Sequence, residues 1–179
     1  RTILHNFFLH SDTSNLTNQF LTKLNSTLEK TQILYLLHEE RFWNRTPLMV
    51  SALESNEEVL TSFWSFIEEN FDDVEKKKLL TENGTNYSAF EYATLNKMPQ
   101  SFLAITKIYE KYFTLQEIQE ISSKYLNSDN SVMLKFLKYS SFEAIKEVSK
   151  YFEKIFINDK LKLRELLGHR YENGETIFS

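Results

Sequence analysis

The stretch Asn44-Arg45-Thr46-Pro47-Leu48-Met49-Val50-Ser51-Ala52-Leu53 decides how the rest of the chain is read. Asn tolerates the left-handed backbone of a tight turn. The Thr46 hydroxyl, two positions on, is suited to cap an orphan amide at a helix start, and Pro47 has a preset φ and no amide to waste. These residues predict a turn at Asn44 and a short helix from Pro47, with Leu48, Ala52 and Leu53 on its apolar side. The same signal returns as Asn86 with Ser88, Asp129 with Ser131 and Gly174 with Thr176, and Thr2 stands in the matching place near the start. The five hydroxyl residues Thr2, Thr46, Ser88, Ser131 and Thr176 are separated by 44, 42, 43 and 45 residues. Fourteen residues past the first four stand Leu16, Leu60, Phe102 and Ile145. A period of this size marks a supersecondary unit that cannot bury its apolar face alone and stacks on its neighbours.

The fold expected is therefore all-α, a helical-repeat solenoid with a period of about 42–45 residues. Its units run about 1–43, 44–85, 86–128 and 129–173, with the start of a further unit at 174–179, all in one array over 1–179. In each unit a first helix ends at a break, Ser55-Asn56, Met98-Pro99 or Ser140-Ser141. A second, antiparallel helix then carries the heavier apolar load: Val59, Leu60, Phe63, Trp64 and Ile67 in one unit, Phe102, Ile105, Ile108 and Tyr109 in the next, then Ile145, Val148, Tyr151 and Phe152. Aromatics at this spacing read as core and as filler between units. Glu29 to Leu37, Val74 to Leu80, Leu115 to Ile121 and Leu161 to Leu167 read as a third, short helix, because the pairs Leu36-Leu37, Leu79-Leu80 and Leu166-Leu167 need burial.

Composition agrees with a packed helical protein: 41% of residues are apolar and 15% aromatic, with only 3 Gly and 2 Pro. Net charge is −4 and the basic residues are scattered. The one run, Lys76-Lys77-Lys78, is flanked by Asp72, Asp73 and Glu75 and reads as a solvated helix face, so no nucleic-acid partner is expected. The absence of cysteine excludes disulfides, thiol nucleophiles and cysteine-rich zinc sites from this segment. No apolar stretch approaches the ~20 residues that span a bilayer, and the N-terminus lacks a signal-peptide layout. The expectation is a soluble module with no membrane partner, working inside the cell in the cytoplasm. Asn-X-Ser/Thr patterns at Asn15, Asn25, Asn44, Asn83 and Asn86 would matter only in a secreted chain, and Asn44 and Asn86 have a turn to form.

No constellation of catalytic residues stands out. His5, His10, His38 and His169 fall in different units and read as surface or turn histidines, with no pairing that makes a metal face. Glu39-Glu40, Glu57-Glu58 and Glu68-Glu69 are neighbours that point apart on a helix and suit a wet face. No cofactor, no metal and no enzymatic activity are expected.

The string Asn44-Arg45-Thr46-Pro47-Leu48 followed by Ser51-Ala52 resembles the opening of an ankyrin repeat, whose signature is Thr-Pro-Leu-His-X-Ala after a turn. The same register gives Ser88-Ala89-Phe90 with Ala93-Thr94, then Ser131-Val132-Met133, then Thr176-Ile177-Phe178, so the likeness runs along essentially the whole chain. The pattern departs from the family in length, a standard unit having about 33 residues. Met49, Glu91 and Leu134 replace the signature histidine, which His5 supplies in the first unit, while Phe7-Phe8 and Phe136-Leu137 replace the small pair. A HEAT or armadillo-like solenoid fits the period better but gives no reason for the turn residue and hydroxyl before each first helix. Both ends look cut from a longer protein.

The resemblance implies a protein-recognition module that binds a partner protein or peptide along a concave face and through its turn tips. Carried onto this chain, those tips are Glu40, Arg41, Phe42, Trp43 and Arg45; Glu82, Asn83 and Tyr87; Tyr125 and Asn127; and Arg170, Tyr171 and Glu172. Trp43 beside Arg41, Phe42 and Arg45 offers the aromatic and arginine chemistry of binding hot spots. The other reading of Phe42 and Trp43 is packing onto the neighbouring turn or the Leu36-Leu37 pair. Two further roles stay open, a targeting domain of a larger enzyme or effector whose catalytic part lies outside these residues, and a purely architectural array.

Overall fold

The computed structural model describes residues 3–10, 13–38, 44–82, 87–96, 98–127 and 142–167, by backbone alone at 125–127 and 166–167. All regular elements among the described residues are helices: α1 (Ile3–His10), α2 (Ser14–Thr27), α3 (Lys30–His38), α4 (Pro47–Glu54), α5 (Glu57–Asn70), α6 (Asp73–Thr81), α7 (Ala89–Leu95), α8 (Pro99–Tyr112), α9 (Leu115–Asn127), α10 (Phe142–Ile155) and α11 (Lys160–Leu167). None of them is long and apolar enough to cross a membrane. The chain divides into two compact units, residues 1–105 and 106–179.

Local chemistry starts these helices where the sequence places it. Asn44 holds a φ of 57°, the left-handed turn expected before α4. The Thr46 hydroxyl accepts from the Met49 amide at 3.4 Å, and the Met49 sulfur accepts from the Thr46 amide at 3.3 Å. Ser88 and Glu91 make the same reciprocal pair at α7: the Ser88 hydroxyl accepts from the Glu91 amide at 3.4 Å and Glu91 Oε2 from the Ser88 amide at 2.7 Å. Asn56 caps α5 and Asp72 caps α6 through side-chain oxygens 3.0 Å from backbone amides. Each cap contributes about 1 kcal/mol by satisfying an amide that the helix leaves open. The expected third helices are present as α3, α6, α9 and α11, and α9 is longer than a short helix at 13 residues.

In the first unit α4 packs between α1 and α7, α2 lies against α5, α3 meets α2 and α4, and α6 meets α7. Leu48, Met49, Val50 and Ala52 of α4, Val59, Leu60, Phe63 and Ile67 of α5, and Ala89, Phe90 and Ala93 of α7 form the buried core. The aromatic pair in place of small residues is accommodated: Phe8 packs on Phe63 with ring centroids 4.3 Å apart, and Phe7 stacks on Phe20 at 4.2 Å. Buried polar links tie successive helices together. His5 Nε2 donates to the Arg45 carbonyl at 2.7 Å, and the Asn96 amide donates to the carbonyls of Ala52 and Ser55 at 3.0 and 2.9 Å. The second unit packs α9, α10 and α11 against one another over Ile118, Val148, Tyr151, Phe152, Ile155 and Phe156. Gln119 Nε2 donates to the Ile155 carbonyl there at 2.7 Å.

Four sequence expectations change. His5 and His38 are buried, not surface histidines, because each finds polar partners inside. Lys76 leaves the solvated run: its stem is buried and its ammonium meets Asp73 at 3.1 Å, while Lys77 and Lys78 stay exposed. Leu16 is 48% exposed although its counterparts Leu60 and Phe102 are buried. Ile145 is half-buried because α10 turns Ala144, Val148 and Phe152 inward instead. The break at Ser140-Ser141 and the first helix of the 129–173 stretch lie outside the described residues.

Candidate functional site

Three of the expected contact residues have described side chains, Arg45, Glu82 and Tyr87, and all three are engaged within the protein. Arg45 follows the left-handed Asn44 and is half-buried. Its guanidinium sits over the Tyr92 ring, 4.8 Å from the centroid, and its Nε donates to the Tyr92 hydroxyl at 3.1 Å. Tyr92 is buried on α7, and Tyr87, itself buried, meets it edge to face at 5.4 Å. Arg45 and Tyr87 are thus brought together through Tyr92, in a cation–π and aromatic cluster that holds the start of α4 to α7.

Glu82, just past the end of α6, belongs to a different cluster. His38, the last residue of α3, is buried with Nδ1 2.8 Å from Glu82 Oε2 and Nε2 3.2 Å from Glu75 Oε2. A single imidazole therefore ties α3 to both ends of α6. Tyr125 and Asn127 fall in the last turn of α9. Arg41, Phe42, Trp43, Asn83, Arg170 and Tyr171, with Glu40 and Glu172, lie outside the described residues, and so do both readings of Trp43.

Sequence reasoning did not find Tyr92, His38 or Glu75. Tyr92 has no motif of its own, and its link to Arg45 spans 47 residues. One signal was available for His38: Glu82 stands 44 residues after it, within the spacing of the recurring hydroxyl residues.

A groove of about 720 Å³ opens between α2 and α5. Ser14, Asn18, Thr22 and Asn25 line one side, and Glu57, Glu58, Thr61, Ser65 and Glu69 the other. Glu57 and Glu58, expected to point apart, both reach it. Hydroxyls, amides and carboxylates share its wall with Leu21 and Phe66, and the Ser14 hydroxyl donates across it to Glu58 at 3.3 Å. Among the described residues no group of three His, Asp or Glu side chains is placed to hold a metal ion. Among the described residues three groups have shifted acidities: Glu91, Tyr151 and Lys150, whose ammonium the Glu147 hydrogen bond holds above the usual lysine range. Burial raises the Glu91 carboxyl above the ordinary carboxylate range, and the Ser88 amide and hydroxyl pull it part of the way back. Burial, helped by the Glu110 charge, raises the Tyr151 phenol.

No family model matches this chain, and neither a curated protein nor a solved structure matches it.

Proposed function

We propose that this chain is a non-enzymatic protein-recognition module acting inside the cell, an ankyrin-like helical-repeat array that holds a partner protein or peptide along its concave face and through its turn tips. One observation supports the repeat reading above the others: contacts recur at the period. Ser14 with Glu58, His38 with Glu82 and Asn96 with Ala52 each join residues 44 positions apart, as Lys154 with Glu110 does in the second unit. The packing of α4 between α1 and α7 has the same basis, three helices that open on corresponding residues. Units that touch only their neighbours line up their turns along one extended surface, which is how such arrays bind.

The test is capture from a native extract on the immobilised protein, followed by affinity measurement with the purified captured protein. Trp43→Ala is expected to weaken that binding about tenfold or more with the melting temperature unchanged. Arg45→Ala is a poor probe, because its guanidinium packs on Tyr92 and folding is expected to suffer with binding. Equal loss of folding and binding on Trp43→Ala, or no loss of either, rejects the tip as a recognition site.

A further inference from the structure

The second unit carries a groove of about 570 Å³ between α10 and α11, whose lining differs in charge from the chain as a whole. The protein has 25 acidic residues against 21 basic ones, yet this groove is lined by Lys150, Lys154, Lys160 and Arg164 with Glu153 as its one carboxylate. Lys150 and Lys154 also reach out of it, to Glu147 and Glu110. Lys160 and Arg164 are exposed, and among the described residues neither makes a hydrogen bond or an ion pair. They stand four residues apart on α11, so both face the same way. The nearest carboxylates on α11's own sequence are otherwise used: Asp159 accepts from the Lys162 amide at 3.0 Å, and Glu165 lies 3.8 Å from the Lys162 ammonium. Beside the charges the groove is apolar, with Phe156 and Leu163 in its wall and Ile157, 61% exposed, at its edge.

We propose that this groove binds an acidic peptide segment of a partner protein, its carboxylates meeting Lys160 and Arg164 and an apolar side chain resting on Leu163 and Ile157. A guanidinium and an ammonium one helical turn apart suit carboxylates at alternate positions of an extended segment, which share a face. The concavity argues against a flat bilayer. The groove has a single aromatic residue, Phe156, which is buried, so it lacks the stacking platforms of a single-stranded nucleic-acid channel. None of its lining residues is one of the turn-tip residues, so this proposal stands or falls without them.

The whole chain is titrated into a fluorescein-labelled peptide of Glu and Leu, with a peptide of Lys and Leu as the control. The Glu peptide is expected to bind and to weaken steeply with added salt, while the Lys peptide does not bind. Lys160→Gln with Arg164→Gln is expected to reduce affinity at least tenfold with melting unchanged. Lys77→Gln with Lys78→Gln, the same change of charge at exposed positions in the first unit, is expected to leave affinity within about twofold. Equal losses from the two double variants, or no binding of the Glu peptide, overturn the proposal. So does binding to phosphatidylserine vesicles or a single-stranded oligonucleotide without binding to the peptide, or a self-association that Lys160→Gln with Arg164→Gln abolishes.

Discussion

The side chain of Asn96 donates to the carbonyl of Ser55, 41 residues earlier, at 2.9 Å, joining the end of α7 to the break between α4 and α5. Asn96 is 4% exposed, and its other amide bond reaches the Ala52 carbonyl. Ser55 also accepts from the Ser101 hydroxyl at 2.9 Å, so one residue gathers two later elements. Asn96→Ala leaves the Ala52 carbonyl without this donor and is expected to cost about 2 kcal/mol in chemical denaturation. Asn96→Asp, which turns a carboxylate toward two carbonyls, is expected to cost more. An Asp variant as stable as the parent would show that this amide holds nothing together.

Arg45 and Tyr92 should be energetically coupled. Arg45→Ala, Tyr92→Leu and the double variant form a cycle whose coupling is expected at about 1 kcal/mol, the range of a partly buried cation–π pair. Tyr92→Phe removes only the hydroxyl that accepts from Arg45 and should retain most of that coupling. Additive losses would mean that the two residues merely lie close.

Glu91 sets a pH dependence of defined sign. Its folded-state pKa is raised above the ordinary 4.5 by burial, so the folded protein holds this proton more firmly than the unfolded chain does. Its contribution is fully present below about pH 4.5 and is lost as pH rises through the raised folded-state value. Glu91→Gln keeps an oxygen to accept from the Ser88 amide and has no charge to bury. Its melting temperature should match the parent near about pH 4 and exceed it near about pH 7. A difference that stays flat or reverses between those conditions contradicts the assignment.

Burial predicts which apolar residues matter. Phe63 is fully buried against Phe8, and Phe63→Ala is expected to cost about 3–5 kcal/mol. Val74 is 75% exposed in the first turn of α6, and Val74→Ser should stay within about 0.5 kcal/mol of the parent. Urea denaturation of both variants decides this, and comparable losses would overturn the burial pattern.

His38 bridges Glu75 and Glu82, so His38→Ala removes partners from two carboxylates at once and is expected to cost about 2 kcal/mol. Glu82→Gln keeps an oxygen for the imidazole and should cost less than Glu82→Ala. The reverse order in thermal melts would place the value of Glu82 outside this contact.

What the sequence by itself determined is the local part of this protein: where helices start, where they break and which side of each is apolar. Thr46, Asn56, Asp72 and Ser88 cap because a side-chain oxygen three or fewer residues from an open amide needs nothing from the rest of the chain. The spacing of the turn and hydroxyl residues is legible for the same reason, since these signals are local. The tertiary structure decided the fate of the polar side chains. Arg45 reads as a contact residue from its neighbours in sequence, but Tyr92, 47 residues away, takes its guanidinium. His38 and His5 are buried because Glu75, Glu82 and the Arg45 carbonyl come to meet them. Lys150 and Lys154 stand on α10 and Lys160 and Arg164 on α11, and the four share one groove only once these helices pack. A hydrogen bond or a charged groove depends on distances in space, and for residues tens of positions apart only packing sets those distances.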